Sequence, residues 1–126
     1  MDWSMERPQV FRALLGEAYE VKSTPYGSVG KLYSSQAVEA VWVSKSGEAI
    51  DPEWYSQPTV DLILVMQGKL RVEFDHGYQD SIVLEPGDLL VIPPGWKCRA
   101  CRWPREAPQA AVFFAVYPQY KNEAEA

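Results

Sequence analysis

Gly87-Asp-Leu-Leu-Val-Ile-Pro-Pro-Gly-Trp96 follows Asp61-Leu-Ile-Leu-Val-Met-Gln-Gly68 by about twenty residues, and these two stretches decide the fold. The earlier one reads as a short, branched apolar strand ending in a glycine turn, because glycine takes positive φ without steric cost. The later one reads as a turn, a strand and a rigid loop. Pro93 and Pro94 have no backbone N–H, so they end the ladder, and Gly95 lets the chain reverse before a strand expected from Trp96 onward.

Outward from this pair, the pattern of short apolar runs broken by Gly and Pro continues. Gln36–Ser44 is open between a helix, by propensity, and a strand, for which it has Val and Trp enough, and a turn follows at Lys45-Ser-Gly-Glu48. Lys69-Leu-Arg-Val-Glu-Phe74 alternates, and further strands are expected over Ser81–Gly87, leading into its Pro-Gly turn, and over Gln109–Tyr117, with a proline-rich loop over Trp103–Pro108. Many short strands separated by such turns favour a sandwich or barrel. Arg7–Gly16 carries a proline near its start, apolar Val10, Phe11, Leu14 and Leu15, and a closing glycine, which predicts a short amphipathic helix packed on the barrel. Tyr26–Leu32 reads as a glycine-rich loop or edge segment.

The spacing of these residues resembles the cupins, over roughly residues 38 to 117. The second cupin motif runs glycine, five residues, proline, one residue, glycine, two residues, histidine. Gly87, Pro93 and Gly95 fall in register, with Cys98 at the histidine position. In the first motif Asp61 and Gly68 keep the acid-to-glycine spacing, with aspartate for the usual glutamate. The His-x-His ahead of the acid falls on Tyr55 and Gln57, or on Trp54 and Ser56 in the alternative register. The resemblance implies an all-β double-stranded β-helix, or jelly roll, with the short N-terminal helix added. Its expected divisions are residues 1–37 (helix and edge segment), 38–118 (barrel) and 119–126 (a frayed tail).

First-row metals in such barrels are held by imidazoles and a carboxylate, and this chain's only histidine is His76, placed by its neighbours in a hairpin turn. A three-histidine site is impossible within one chain. No cofactor is expected, and a divalent metal is disfavoured. Any metal would have to use Asp61, Cys98, Gln57 and Tyr55. Cys98 and Cys101 form a C-x-x-C, but on one strand the two thiols point to opposite faces, so reduced cysteines are expected. Arg102, four positions beyond Cys98 and on its face, is a candidate partner for Asp61 and a group expected to lower the Cys98 pKa.

The expected ligand-binding set is therefore Tyr55, Gln57, Asp61, Cys98 and Arg102, with Trp54, Trp96 and Trp103 as candidate walls. Polar groups in an aromatic-lined cavity suit a small organic ligand. Core or interface packing is the plainer reading of each tryptophan, as an internal ion pair is of Asp61 with Arg102. Three functions stay open: a metal-free cupin binding a small acid or sugar derivative, a cupin enzyme of isomerase, lyase or dioxygenase type with an atypical metal or acid–base site, and a structural protein with a degenerate site. A net charge of −5 with no basic run excludes nucleic acid as an expected partner, and no apolar stretch is long enough to span a bilayer. A cytoplasmic homodimer is expected, the dimer on the resemblance alone.

Overall fold

The computed structural model describes residues 7–47, 50–75 and 81–119. Among these, nine strands form two antiparallel sheets. In chain order the strands are β1 (Glu20–Thr24), β2 (Gly27–Ser34), β3 (Val38–Lys45), β4 (Asp61–Gln67), β5 (Leu70–Phe74), β6 (Ser81–Leu84), β7 (Leu89–Ile92), β8 (Cys98–Arg102) and β9 (Ala111–Pro118). The larger sheet has the order β1-β2-β3-β9-β4-β7 and the smaller β6-β5-β8. A bridge between Tyr55 and Cys98, with N–H···O bonds of 2.9 and 2.8 Å in the two directions, lays the 51–57 segment along the free edge of β8. The smaller sheet thereby gains an irregular fourth member, and the two layers form a double-stranded β-helix.

Alternation along each strand decides which side chains enter the space between the sheets. On β5 Leu70 and Val72 are fully buried, while the intervening Arg71 and Glu73 face outward and form an ion pair at 3.0 Å. On β4 the inward residues Ile63 and Val65 lie opposite Ala115 and Phe113 on β9 and share one core cluster with Val41 and with Leu84. The loop after β7 closes as its sequence requires. Gly95 sits at φ +82° and donates its N–H to the Gln57 carbonyl at 2.8 Å, pinning the Pro93–Gly95 turn over the 51–57 segment.

Four expectations from the sequence need correction. Arg7–Gly16 is not a helix packed on the barrel: it contains one 3-10 turn, Ala13–Leu15, and Val10, Leu14 and Leu15 are 70, 55 and 77% exposed. A helix this short is marginal unless its apolar face is covered, Arg12 offers no side-chain cap, and left-handed Gly16 ends the turn at once. The 26–32 segment is neither loop nor edge, because β2 lies between β1 and β3 and the edge is β1. The strand expected from Trp96 starts two residues later, at Cys98. Gln119, assigned to the tail, is docked through its N–H on the Ala37 carbonyl and its Nε2 on Glu39. His76 and residues 120–126 lie outside the described residues.

Candidate functional site

Between the sheets lies a cavity of about 300 Å³. Its walls are apolar, from Val41 and Val43 on β3, Ile63 on β4, Phe113 and Ala115 on β9 and Ala100 on β8. At the mouth, Tyr55, Gln57, Asp61 and Cys98 border both this cavity and an adjoining recess of about 20 Å³ against Ile92, Pro93 and Trp96. Four of the five residues expected from the sequence are thus brought together, from three separate parts of the chain.

The fifth is not. Arg102 follows Cys98 and Ala100 on the inward face of β8, opposite Leu70, at the end of the strand remote from the mouth. It is 9% exposed, and its guanidinium donates Nε–H and Nη2–H to the Arg105 carbonyl. It borders neither cavity, makes no ion pair with Asp61 and does not lower the Cys98 pKa. Four residues of strand carry it about 13 Å past Cys98, so a shared face is not a shared site. The tryptophans divide similarly. Trp96 lines the recess and meets Phe74 edge-to-face at 6.0 Å, whereas Trp54 and Trp103 are covered by Arg99 and Arg71 at 4.3 and 5.0 Å.

Asp61 is the chemically exceptional member of the cluster. Its Oδ1 is buried without a hydrogen-bond partner, and burial pushes its carboxyl up to about 6. The same burial, with the Asp61 charge added, pushes the Cys98 thiol up to about 11. Both cysteines are free, and Cys101 is buried on the other face of β8. Tyr55 is committed elsewhere: its hydroxyl donates to Asp51 Oδ2 at 2.7 Å, which raises it to about 12. Burial pushes Asp51 up, but the bonds from Tyr55 and the Glu53 N–H, with Lys45 and Arg99 nearby, leave it below the usual aspartate value.

Several ionisable residues of the cavity were not foreseen as site residues, among them Lys31, Asp51 and Arg99 as well as Glu39, Lys45 and Tyr117. Glu39 and Lys45 occupy the two ends of the inward face of β3, and Tyr117 on β9 pairs with Glu39, to whose Oε2 its hydroxyl donates at 2.7 Å. Burial and that bond raise the Tyr117 phenol strongly, while burial lowers Lys45 despite the Asp51 charge. The signal was present in the sequence: Glu39, Val41, Val43 and Lys45 alternate, so the apolar pair that identifies the inward face also assigns the two charged residues to it.

The mouth offers donors that are weaker metal ligands than imidazoles. The positions that would hold a divalent cation carry an amide, a phenol already donating to Asp51, a thiol held protonated by burial and one carboxylate. Among the described residues no three His, Cys, Asp or Glu side chains are grouped to hold a metal ion.

Among solved structures, an RmlC-like cupin from Shewanella frigidimarina is similar at 17% identity and a TM-score of 0.66, with 86% of this chain and 91% of that one covered. An RmlC-like cupin family protein from Methanocaldococcus jannaschii, described as a double-stranded β-helix, is 15% identical at 0.66 over 89% of this chain and 98% of that one. KdgF from Halomonas sp. is 18% identical at 0.63 over 84% and 93%. No curated protein matches the sequence. These likenesses establish the fold. The EutQ-like cupin domain model matches residues 34–110, from the end of β2 to the start of β9, and takes in Tyr55, Gln57, Asp61 and Cys98. With most of the barrel and the whole mouth cluster inside that match, the chain belongs to the EutQ-like cupin domain family.

Proposed function

We propose that the chain is a metal-free cupin that binds a small organic ligand, an acid or sugar derivative bearing hydroxyl groups, at the mouth of the barrel. The observation that carries this reading is the orphaned Oδ1 of Asp61 beside a cavity of about 300 Å³. An unpaired buried carboxylate is costly, and a ligand hydroxyl donating to it would recover that cost. Gln57 supplies an amide to orient the same ligand, and the apolar walls supply area.

A calorimetric screen of hydroxylated acids and sugars against the unmodified chain and Asp61→Asn tests this. Saturable binding that weakens at least about tenfold in the variant is expected, since hydrogen bonds to a charged group are the stronger class. Binding that ignores the substitution, or no binding across the panel, would remove the reading.

A second reading is favoured by the same carboxyl. A group titrating at about 6 is poised as a general base near neutral pH, so an isomerase- or lyase-type proton transfer at Asp61 is the enzymatic alternative. Turnover of a bound ligand, lost in Asp61→Asn while binding persists, would select it.

We assign the outer face of the larger sheet to a homodimer contact. Val91, Leu62 and Val116 form one cross-strand row, and Leu89, Leu64 and Phe114 form the next, with Leu89 and Val91 57 and 54% exposed. Such a contiguous apolar block is unusual on a monomer. Light scattering should give twice the 14.3 kDa chain mass, falling to the chain mass in Leu64→Glu. No described helix is long and apolar enough to cross a membrane.

A further inference from the structure

The cavity has two unlike polar ends, with Val41 and Val43 between them and Lys31, opposite Val41 on β2 and paired with Glu20, on the adjoining wall. Glu39 and Asp61 mark the mouth end, and Lys45 marks the other. Glu39 and Lys45 share the inward face of β3 six residues apart, a strand distance of about 20 Å, and Val41 and Val43 fill the interval between them.

At the Lys45 end the charged neighbours are already engaged. Arg99 donates to Glu73 at 2.8 Å and lies over the Trp54 ring, while Asp51 receives the Tyr55 hydroxyl and the Glu53 N–H. Lys45 is different: among the described residues it has no ion-pair partner, although its side chain is largely withdrawn from water. Asp51 lies near enough to act on it electrostatically but not to pair with it. A desolvated ammonium with free donors on a cavity wall is a site for an anion.

We infer that the ligand is an amphiphilic monocarboxylate, with its carboxylate on Lys45, an aryl or alkyl body along the Val41–Val43 wall, and a hydroxyl directed to Asp61. This inference rests on the proposed ligand-binding function and adds the class of ligand. Lys31 and Arg99 also line the cavity but are paired, with Glu20 at 3.7 Å and with Glu73 at 2.8 Å. Among the described residues, the one cavity ammonium without an ion pair, beside the Asp51 carboxylate, therefore suits a single negative charge, because a dianion would meet Asp51 without a second unpaired cation to balance it. A strongly polar body such as a sugar ring would leave its inner hydroxyls unpaired against valine, phenylalanine and alanine.

The test is isothermal titration of a graded series of ω-hydroxy alkyl and aryl carboxylates, each beside its matched primary amide. In the unmodified chain one or more acids should bind at least about tenfold more tightly than their amides, as expected for a charge-assisted hydrogen bond in a cavity. In Lys45→Met the acid should fall to the affinity of the amide, with amide binding retained. If Lys45→Met does not fold, the acid-to-amide ratio in the unmodified chain decides alone. Equal binding of acids and amides, both weakened by Asp61→Asn, would overturn the Lys45 assignment and leave the ligand pocket standing. Absence of binding in this series, with sugars binding at Asp61, would also overturn it, and absence of all binding would remove both readings.

Discussion

The Tyr117 hydroxyl donates to Glu39 Oε2 at 2.7 Å across β9 and β3, and Glu39 also receives Ser34 and Gln119. The second carboxylate of the cavity mouth, Asp61, has no such partner on Oδ1. Two acids on the strands that flank β9 thus have opposite fates: one is satisfied by the chain and the other is not.

That asymmetry sets a pH dependence. Burial raises Asp61 from the usual 3.8 to about 6, so the folded chain keeps a proton that the unfolded chain has released. The stability associated with the protonated form is complete below about pH 4 and is lost as the pH rises through about 6. Because the carboxyl is partly open to the cavity, the loss is about 1–2 kcal/mol. Asp61→Asn should therefore match the unmodified chain in melting temperature at pH 4 and exceed it at pH 8. A variant less stable at pH 8 would show that the ionised carboxylate is paired.

Cys98 lines the same mouth but should be a poor nucleophile. With its thiol pushed up to about 11, only about one part in 10,000 is thiolate at pH 7. Iodoacetamide labelling followed by mass spectrometry should be slow at pH 7.5 and accelerate steadily toward pH 10. Rapid modification at pH 7.5 would contradict the burial assigned to it.

The larger sheet is keyed at Gly30, whose missing side chain makes room for the Trp42 indole; that indole donates Nε1–H to the Glu17 carbonyl at 2.8 Å. A Cβ at this position overlaps the ring directly. Gly30→Ala should cost about 1–3 kcal/mol in denaturant unfolding, and Gly30→Ala combined with Trp42→Leu should recover part of it. An unchanged midpoint in the single variant would show that the ring moves freely aside.

How much of this was legible beforehand depends on how local the signal is. Gly87, Pro93 and Gly95 have backbone reasons for their places, so their spacing located the mouth, and with it Tyr55, Gln57, Asp61 and Cys98 around one cavity. Arg102 was misplaced because alternation reports a face but not a depth along it. Lys45 and Tyr117 were not read as site residues because neither belongs to a motif, and the meeting of Tyr117 with Asp61 depends on β9 lying between β3 and β4, a non-local pairing. The Arg7–Gly16 pattern misled because periodicity promises a helix only where something covers its apolar stripe.

The central claim is that the mouth cluster serves an organic ligand rather than a metal. Elemental analysis of the chain, purified with neither chelator nor added metal, tests it most directly. The account predicts far less than one equivalent of iron, manganese, nickel or zinc, with no change in Asp61→Ala. About one equivalent, retained through gel filtration and lost in Asp61→Ala, would contradict it and make Asp61, Cys98, Gln57 and Tyr55 ligands after all.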